Sequence, residues 1–267
     1  MSDRIVVSFE NGVADVRMSR PDKLNALDAA MFQALAETGQ SLAQDPSLRC
    51  VVLSGEGRGF CAGLDVMSFA RPSDSDAPRM NLLDRAPGSV ATHAQSAADV
   101  WRTLPVPVIA AVHGVCFGGG LQIALAADIR LVTPDARLSV MEIKWGLVPD
   151  MTGTQTLRRL VRLDIAKELT FSGRIVSGAE AAEIGLATRV CDDPIAEATQ
   201  MAAAIAGRSP DAIRAAKHLL EQSGLVDLET GLRLEAELQG QLLGSPNQIE
   251  SVKANVEKRE PRYRDPE

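Results

Sequence analysis

The sequence predicts an α/β protein with a mostly parallel sheet and a C-terminal helical segment. Three observations carry that expectation. Short apolar runs alternate with helical patterns through most of the chain, glycine-rich turns stand where several of those runs end, and from Pro194 onward one helical pattern follows another. The 267 residues suffice for one sizeable core, or for a core plus a smaller helical appendage, and we divide them into a core at 1–193 and a helical segment at 194–267.

Alternation in Ile5-Val6-Val7 and in Val13-Ala14-Asp15-Val16-Arg17-Met18 around Asn11-Gly12 predicts an opening hairpin. Asp28 stands as an N-cap ahead of a helix that carries Met31, Leu35 and Leu42. A strand follows at Cys50 to Leu53. Residues 68–90 then turn polar and irregular, through Arg71-Pro72-Ser73-Asp74-Ser75-Asp76-Ala77-Pro78, and a segment of that kind inside a compact domain is a functional loop or a disordered one. Strands near Pro107–Val112, Asp128–Val132 and Arg137–Val140 alternate with helical patterns, as stacked βαβ-type units do. The final helices break at Gly207-Arg208-Ser209-Pro210, Ser223-Gly224 and Gly244-Ser245-Pro246. Apolar stripes there, such as Leu228, Leu232, Leu234 and Leu238, pack on the core or on a neighbouring subunit.

Composition narrows the partners. With 28 Lys+Arg against 35 Asp+Glu, a formal net charge of −7 and only 3% aromatics, the chain offers neither a bulk attraction for nucleic acid or anionic membranes nor a stacking platform for bases. Its apolar runs stop well short of the roughly 20 residues that span a bilayer. Cys50, Cys61, Cys116 and Cys191 lack CxxC spacing and read as reduced thiols of a cytoplasmic protein, and His93, His113 and His218 share no metal-ligand spacing, so no metal site is expected.

Two glycine loops carry the chemistry. One follows the strand Val108-Ile109-Ala110-Ala111-Val112 as Gly118-Gly119-Gly120, with the helical run Leu121-Gln122-Ile123-Ala124-Leu125-Ala126-Ala127 behind it. Such a turn lets backbone N–H groups approach an anion or a polarised carbonyl, or serves close packing alone. The other is Gly55-Glu56-Gly57-Arg58-Gly59-Phe60-Cys61-Ala62-Gly63-Leu64-Asp65, after the strand at Val51. Two strand-to-loop elements can each aim one N–H at the same oxygen, as an oxyanion hole requires. Neither loop is a GxGxxG or precedes the Lys-Ser/Thr of a P-loop, which removes NAD and ATP readings.

These residues resemble the crotonase superfamily, the enoyl-CoA hydratase/isomerase group, over essentially the whole chain. The ordered set is Arg20-Pro21-x-Lys23-x-Asn25-Ala26-Leu27, Gly59-Phe60-Cys61-Ala62-Gly63-x-Asp65, Pro107-Val108-Ile109-Ala110-Ala111-Val112-x-Gly114, Gly118-Gly119-Gly120, Gly146-Leu147-Val148-Pro149, Phe171-Ser172-Gly173 and Val256-Glu257-Lys258-Arg259. The resemblance implies a spiral of repeated ββα units with a C-terminal helical segment, a homotrimer or dimer of trimers, and an acyl-CoA substrate with coenzyme A as part of that substrate and no separate cofactor. It implies that the backbone N–H groups of Leu64 and Gly119 hold the thioester carbonyl, that residues 68–90 form a loop over the acyl pocket, and that Lys23, the stretch Ala62, Gly63, Asp65, Val66 and Met67, and Lys258 contact coenzyme A. On spacing alone Arg20 and Lys23 are equally solvated charges.

Chemistry beside such a hole needs a proton-transferring group. Glu142, in Val140-Met141-Glu142-Ile143-Lys144-Trp145-Gly146, is the candidate, because an apolar pocket raises a carboxyl toward the working pH; a solvated glutamate pairing with Lys144 is the plain alternative. Gln122 departs from the hydratases that this chain resembles, which carry a second glutamate there to deprotonate a water. A glutamine amide cannot accept that proton. Asp150, eight residues beyond Glu142, stands where the dienoyl-CoA isomerases that look like this family place a catalytic aspartate, and it also reads as a helix N-cap. The expectation is therefore double-bond isomerisation with Glu142 as proton shuttle and Asp150 as a candidate second carboxylate. Hydration by Glu142 alone and non-catalytic acyl-CoA binding are the alternatives.

Overall fold

The computed structural model describes residues 3–69, 81–86 and 88–266, so residues 70–80 and 87 of the irregular 68–90 segment lie outside the described residues. Strands β1 (Ile5–Glu10) and β2 (Val13–Met18) pair antiparallel as the expected hairpin, with Asn11 and Gly12 both at positive φ (50° and 79°) in the turn between them. Helix α1 (Ala29–Ala43) starts at Asp28, whose side chain accepts the Met31 N–H, and it buries Met31, Phe32 and Leu35. Strand β3 (Cys50–Gly55) is buried along its whole length. A short α2 (Val66–Phe69) follows, and α3 (His93–Thr103) begins at a capping box of Thr92 and Gln95.

The centre of the chain builds β4 (Val108–Val112), β5 (Val115–Phe117), the fully buried α4 (Gly119–Ala126), β6 (Ile129–Val132) and β7 (Arg137–Ser139). Beyond it come α5 (Gly153–Leu160), α6 (Leu163–Ser172), β8 (Val176–Ser177), α7 (Gly178–Glu183) and β9 (Arg189–Val190). The larger sheet has the order β1-β2-β3-β4-β6-β9 and is parallel at every pairing except the opening hairpin. Period-two alternation divides its side chains. Val51, Leu53, Val108, Ala110 and Val112 enter the main core with α1, α3 and α4, while Cys50, Val52, Ile109, Ala111 and Leu131 pack against Ala198 and Ala202 of α8 (Pro194–Ala206) on the opposite face.

The strand expected near Arg137–Val140 is β7, but it pairs with β5 and β8 in a second sheet that the sequence did not predict. The chain enters it directly from β4 by turning at Gly114, where φ is +57° and a Cβ would stand 2.1 Å from the Arg58 carbonyl oxygen. The last helices, α9 (Pro210–Gln222), α10 (Leu228–Leu242) and α11 (Pro246–Glu257), match the expected breaks. No residue of α10 is buried; Leu228 and Leu232 are exposed, Leu234 and Leu238 half-buried. All four cysteines are buried free thiols, and among the described residues no helix is long and apolar enough to cross a membrane.

Trp101 is the largest fully buried side chain, anchored by its Nε1–H donating to the Ala97 carbonyl at 3.0 Å. Trp101→Ala is expected to cost about 3–5 kcal/mol of stability by opening a cavity in the main core. Chemical denaturation measures it; a loss below 1 kcal/mol, the size of a surface change, would contradict this packing.

Candidate active site

The second sheet delivers both glycine loops to one place. The chain around Cys61 runs parallel to β5, the Cys61 N–H donating to the Val115 carbonyl and the Phe117 N–H to the Cys61 carbonyl, each at 3.0 Å. Just beyond, Leu64 forms a parallel bridge with Leu27: the Leu27 N–H donates to Gly63 O at 2.8 Å and the Asp65 N–H to Leu27 O at 3.0 Å. A bridge of this kind uses the carbonyl before and the amide after the bridged residue. The Leu64 N–H therefore points away from Leu27.

Gly63 has φ +84°, and a Cβ built on it would lie 2.6 Å from the Phe117 carbonyl oxygen and 3.6 Å from the Gly119 nitrogen, so the two loops touch at this residue. Gly118, at φ 51° and ψ −122°, turns the chain from β5 into α4. Gly119 opens that helix, and its N–H is one of those that the first turn leaves without an intrahelical partner. The Leu64 loop is braced from beneath. Asn25, fully buried and at φ 56°, directs its amide at the carbonyls of Glu56 and Gly59, both at 2.9 Å, and Arg20 pairs with Asp65 at 2.8 Å. In the sequence Asn25 is part of the Arg20–Leu27 motif and carries no assigned role. Its task depends on carbonyls more than thirty positions away, and local pattern carries no sign of them.

Glu142 reaches the site from the 3₁₀ turn Met141–Trp145 after β7, with only 8% of its surface exposed. Its partner is Gln122, not Lys144. The Gln122 Nε2 donates to Glu142 Oε1 at 2.6 Å, while the Gln122 Oε1 accepts from the Met151 N–H at 2.7 Å and the Gly153 N–H at 2.9 Å. Glu142 Oε2 is buried and has no hydrogen-bond partner among the described residues. Burial pushes the Glu142 carboxyl above its ordinary value, the Gln122 hydrogen bond pulls the other way, and the charge of Asp150 adds to the rise. Burial also raises Asp150. Asp150 caps no helix: α5 begins at Gly153 with Thr152 as its N-cap, which makes no side-chain cap bond.

Around these groups lies a cavity of about 460 Å³. Ala62, Gly63, Leu64, Gly119, Gln122, Glu142 and Asp150 all line it, between apolar walls that include Phe32, Leu82, Phe117 and Trp145. Lys23, Asp65, Val66, Met67 and Lys258 are not among its described lining residues. Lys23 is exposed at the end of a 3₁₀ turn, Asp65 is engaged by Arg20, Met67 is 80% exposed on α2, and Lys258 ends α11 at φ 53°. A larger cleft of about 780 Å³ opens between α3, α5 and α9, but paired charges occupy its wall, with Arg102 and Arg159 both on Glu221, and it touches neither glycine loop. Among the described residues no cluster of side chains is suited to hold a metal ion.

The cavity thus brings the backbone of Leu64 and Gly119 together with one buried carboxyl that has an unpartnered oxygen, a second carboxyl and apolar walls. That set can polarise a carbonyl and move a proton on the carbon next to it. Comparison with known proteins identifies the family. The family model "Enoyl-CoA hydratase/isomerase" matches residues 8–266. The chain is 35% identical over 263 residues to the mitochondrial Delta(3,5)-Delta(2,4)-dienoyl-CoA isomerase of Mus musculus, covering 96% of this chain and 80% of the relative. It is 33% identical over 260 residues to the mitochondrial methylglutaconyl-CoA hydratase of the same species, covering 95% and 80%. The crystal structure of an enoyl-CoA hydratase from Bacillus anthracis superposes with a TM-score of 0.87 at 30% identity, over 98% of this chain and 100% of that one.

Proposed function

The chain belongs to the enoyl-CoA hydratase/isomerase family, with the crotonase fold, and from that premise we propose that it shifts a carbon–carbon double bond along the acyl chain of an enoyl-CoA thioester. The observation that carries this reading is the orientation of Gln122. With its Oε1 engaged by two backbone N–H groups, it turns only donors toward Glu142, so nothing at this position can take a proton from water. One carboxylate suffices for isomerisation.

In this mechanism the thioester oxygen sits between the Leu64 and Gly119 N–H groups, which form the oxyanion hole. Glu142 removes a C2 proton from a 3-enoyl-CoA; the C2–H pair becomes the C1=C2 bond of a dienolate as the carbonyl π pair moves onto the thioester oxygen. As that charge returns to rebuild the carbonyl, the C1=C2 pair shifts to C2=C3 and the C3=C4 pair takes the proton from Glu142 at C4, which leaves the conjugated 2-enoyl-CoA. Asp150 is the candidate second carboxylate for a longer, dienoyl unit. Coenzyme A enters as part of the substrate, with Lys23, the Ala62–Met67 stretch and Lys258 as its contacts. Lys258 serves the same or a neighbouring subunit of a homotrimer or dimer of trimers, to which the exposed leucines of α10 contribute.

The test is incubation with trans-3-hexenoyl-CoA, with products resolved by mass. A conjugated isomer of unchanged mass is expected. A product heavier by one water would replace this reading with hydration, and no turnover of any enoyl-CoA despite tight binding would leave a non-catalytic binder. The pH profile is a second check. The base acts when deprotonated, so kcat/KM falls as pH drops through the raised Glu142 value. The acid limb is expected above the ordinary range of about 4.3 for a glutamate, and a limb at or below that value would remove Glu142 as the base.

A further inference from the structure

We propose that Gln122 is a positioning residue that fixes which oxygen of Glu142 carries the transferable proton, an assignment that builds on the isomerase reading but is testable without it. An amide with few partners can face either way. Here it cannot, because the Met151 and Gly153 N–H groups are both donors and leave only an oxygen acceptable at the end of Gln122 that faces them. The NH₂ end then has one direction available, toward Glu142 Oε1 at 2.6 Å. An oxygen that already accepts this bond is the poorer proton acceptor of the pair. Oε2, buried and without a partner among the described residues, is the atom that takes and returns the proton.

The same amide joins the base to the turn that carries Asp150. Met151 and Gly153 flank Thr152, a non-glycine residue at φ 69°, and the two N–H groups converge on the Gln122 oxygen. Such a left-handed residue persists where its surroundings over-determine it. Gln122 also fills the space that a side chain at position 153 would need, since a Cβ on Gly153 would lie 2.6 Å from the Gln122 Oε1. Base, amide and turn therefore form one unit. Asp150, one residue before the bonded Met151 N–H, keeps its place relative to Glu142 through Gln122.

Two variants of the full-length protein separate this role from plain packing. Gln122→Met keeps the volume and removes both the donor to Glu142 and the acceptor for Met151 and Gly153. Gln122→Glu keeps the acceptor for Met151 and Gly153 but replaces the donor with a second titrating oxygen. The readout is the infrared carbonyl band of the protonated Glu142 carboxyl, identified by its loss in Glu142→Gln and followed against pH without any substrate. A hydrogen bond to the charged form favours that form, so its removal raises the midpoint. In Gln122→Met the band is expected to titrate about one pH unit higher than in the parent. In Gln122→Glu two carboxyls share the site and titrate in two linked steps. In both, the acid limb of kcat/KM moves upward with the band, and kcat falls more than KM changes.

A midpoint that stays in place in both variants, with melting temperatures showing them folded, overturns the proposal. A midpoint that moves while the parent protein isomerises no 3-enoyl-CoA upholds the positioning role and overturns the isomerase reading instead.

Discussion

Glu142→Gln is expected to bind acyl-CoA as the parent does and to isomerise it about 10²–10⁴-fold more slowly, the range that one positioned general base supplies. The substitution is nearly isosteric and retains an oxygen for the Gln122 Nε2 donor, so the cavity keeps its shape. What is lost is the only carboxyl among the described residues held within hydrogen-bond distance of Gln122, beside the turn at Gly118: a Cβ on that glycine would stand 3.4 Å from Glu142 Oε1. The loss belongs in kcat. KM is set by the whole thioester and is expected to stay within a few-fold, which steady-state kinetics and calorimetric binding of a non-reactive thioester resolve. Retention of more than a tenth of the parental kcat would transfer the proton step to Asp150.

Gly63→Ala is expected to have the second-largest effect, for a different reason. The residue holds φ +84°, and the added methyl would meet the Phe117 carbonyl oxygen at 2.6 Å, a backbone atom that no rotamer change can move. Either the Leu64 loop or the end of β5 must retreat, and both carry a donor of the proposed oxyanion hole. Loss of one such donor costs about 10²–10³ in rate. The strained backbone costs about 1–3 kcal/mol of stability besides. Gly224→Ala is the control, since Gly224 has φ +95° with open space around it, away from the cavity. It is expected to lose stability with little change in rate. Equal rate losses in the two variants would show that Gly63 serves only the backbone.

The features legible in the sequence are those written within a few residues. Asn11-Gly12 announces its hairpin because two consecutive positive φ values favour those residues, and Asp28 announces α1 because its side chain reaches an amide three positions ahead. Gly118-Gly119-Gly120 and Glu142 were legible through the family resemblance, and Gly118, Gly119 and Glu142 line the cavity. Long-range contacts decide the rest. That the Cys61 strand lies beside β5, which brings Leu64 to Gly119, follows from hydrogen bonds spanning more than fifty residues. Of the small second sheet, β7 was legible as the strand near Arg137–Val140, whereas β5 and β8, of three and two residues, are too short for a period to declare itself. Asp150 read equally well as a cap from its neighbours, and only the start of α5 at Gly153, with Thr152 before it, removes that role. The sequence identified Gln122 as unable to accept a proton. Which way its amide faces was settled by Met151 and Gly153, neither of which carries a side-chain signal for it.

The pair of amides at Met151 and Gly153 also bears on how this scaffold changes over generations. Two N–H groups receive a carboxylate oxygen as readily as an amide oxygen, and glutamine and glutamate have the same heavy-atom skeleton. Their codons differ by one base. A single nucleotide therefore separates this cavity from the two-carboxylate arrangement of the hydratases it resembles, with no backbone to rebuild and no core to repack.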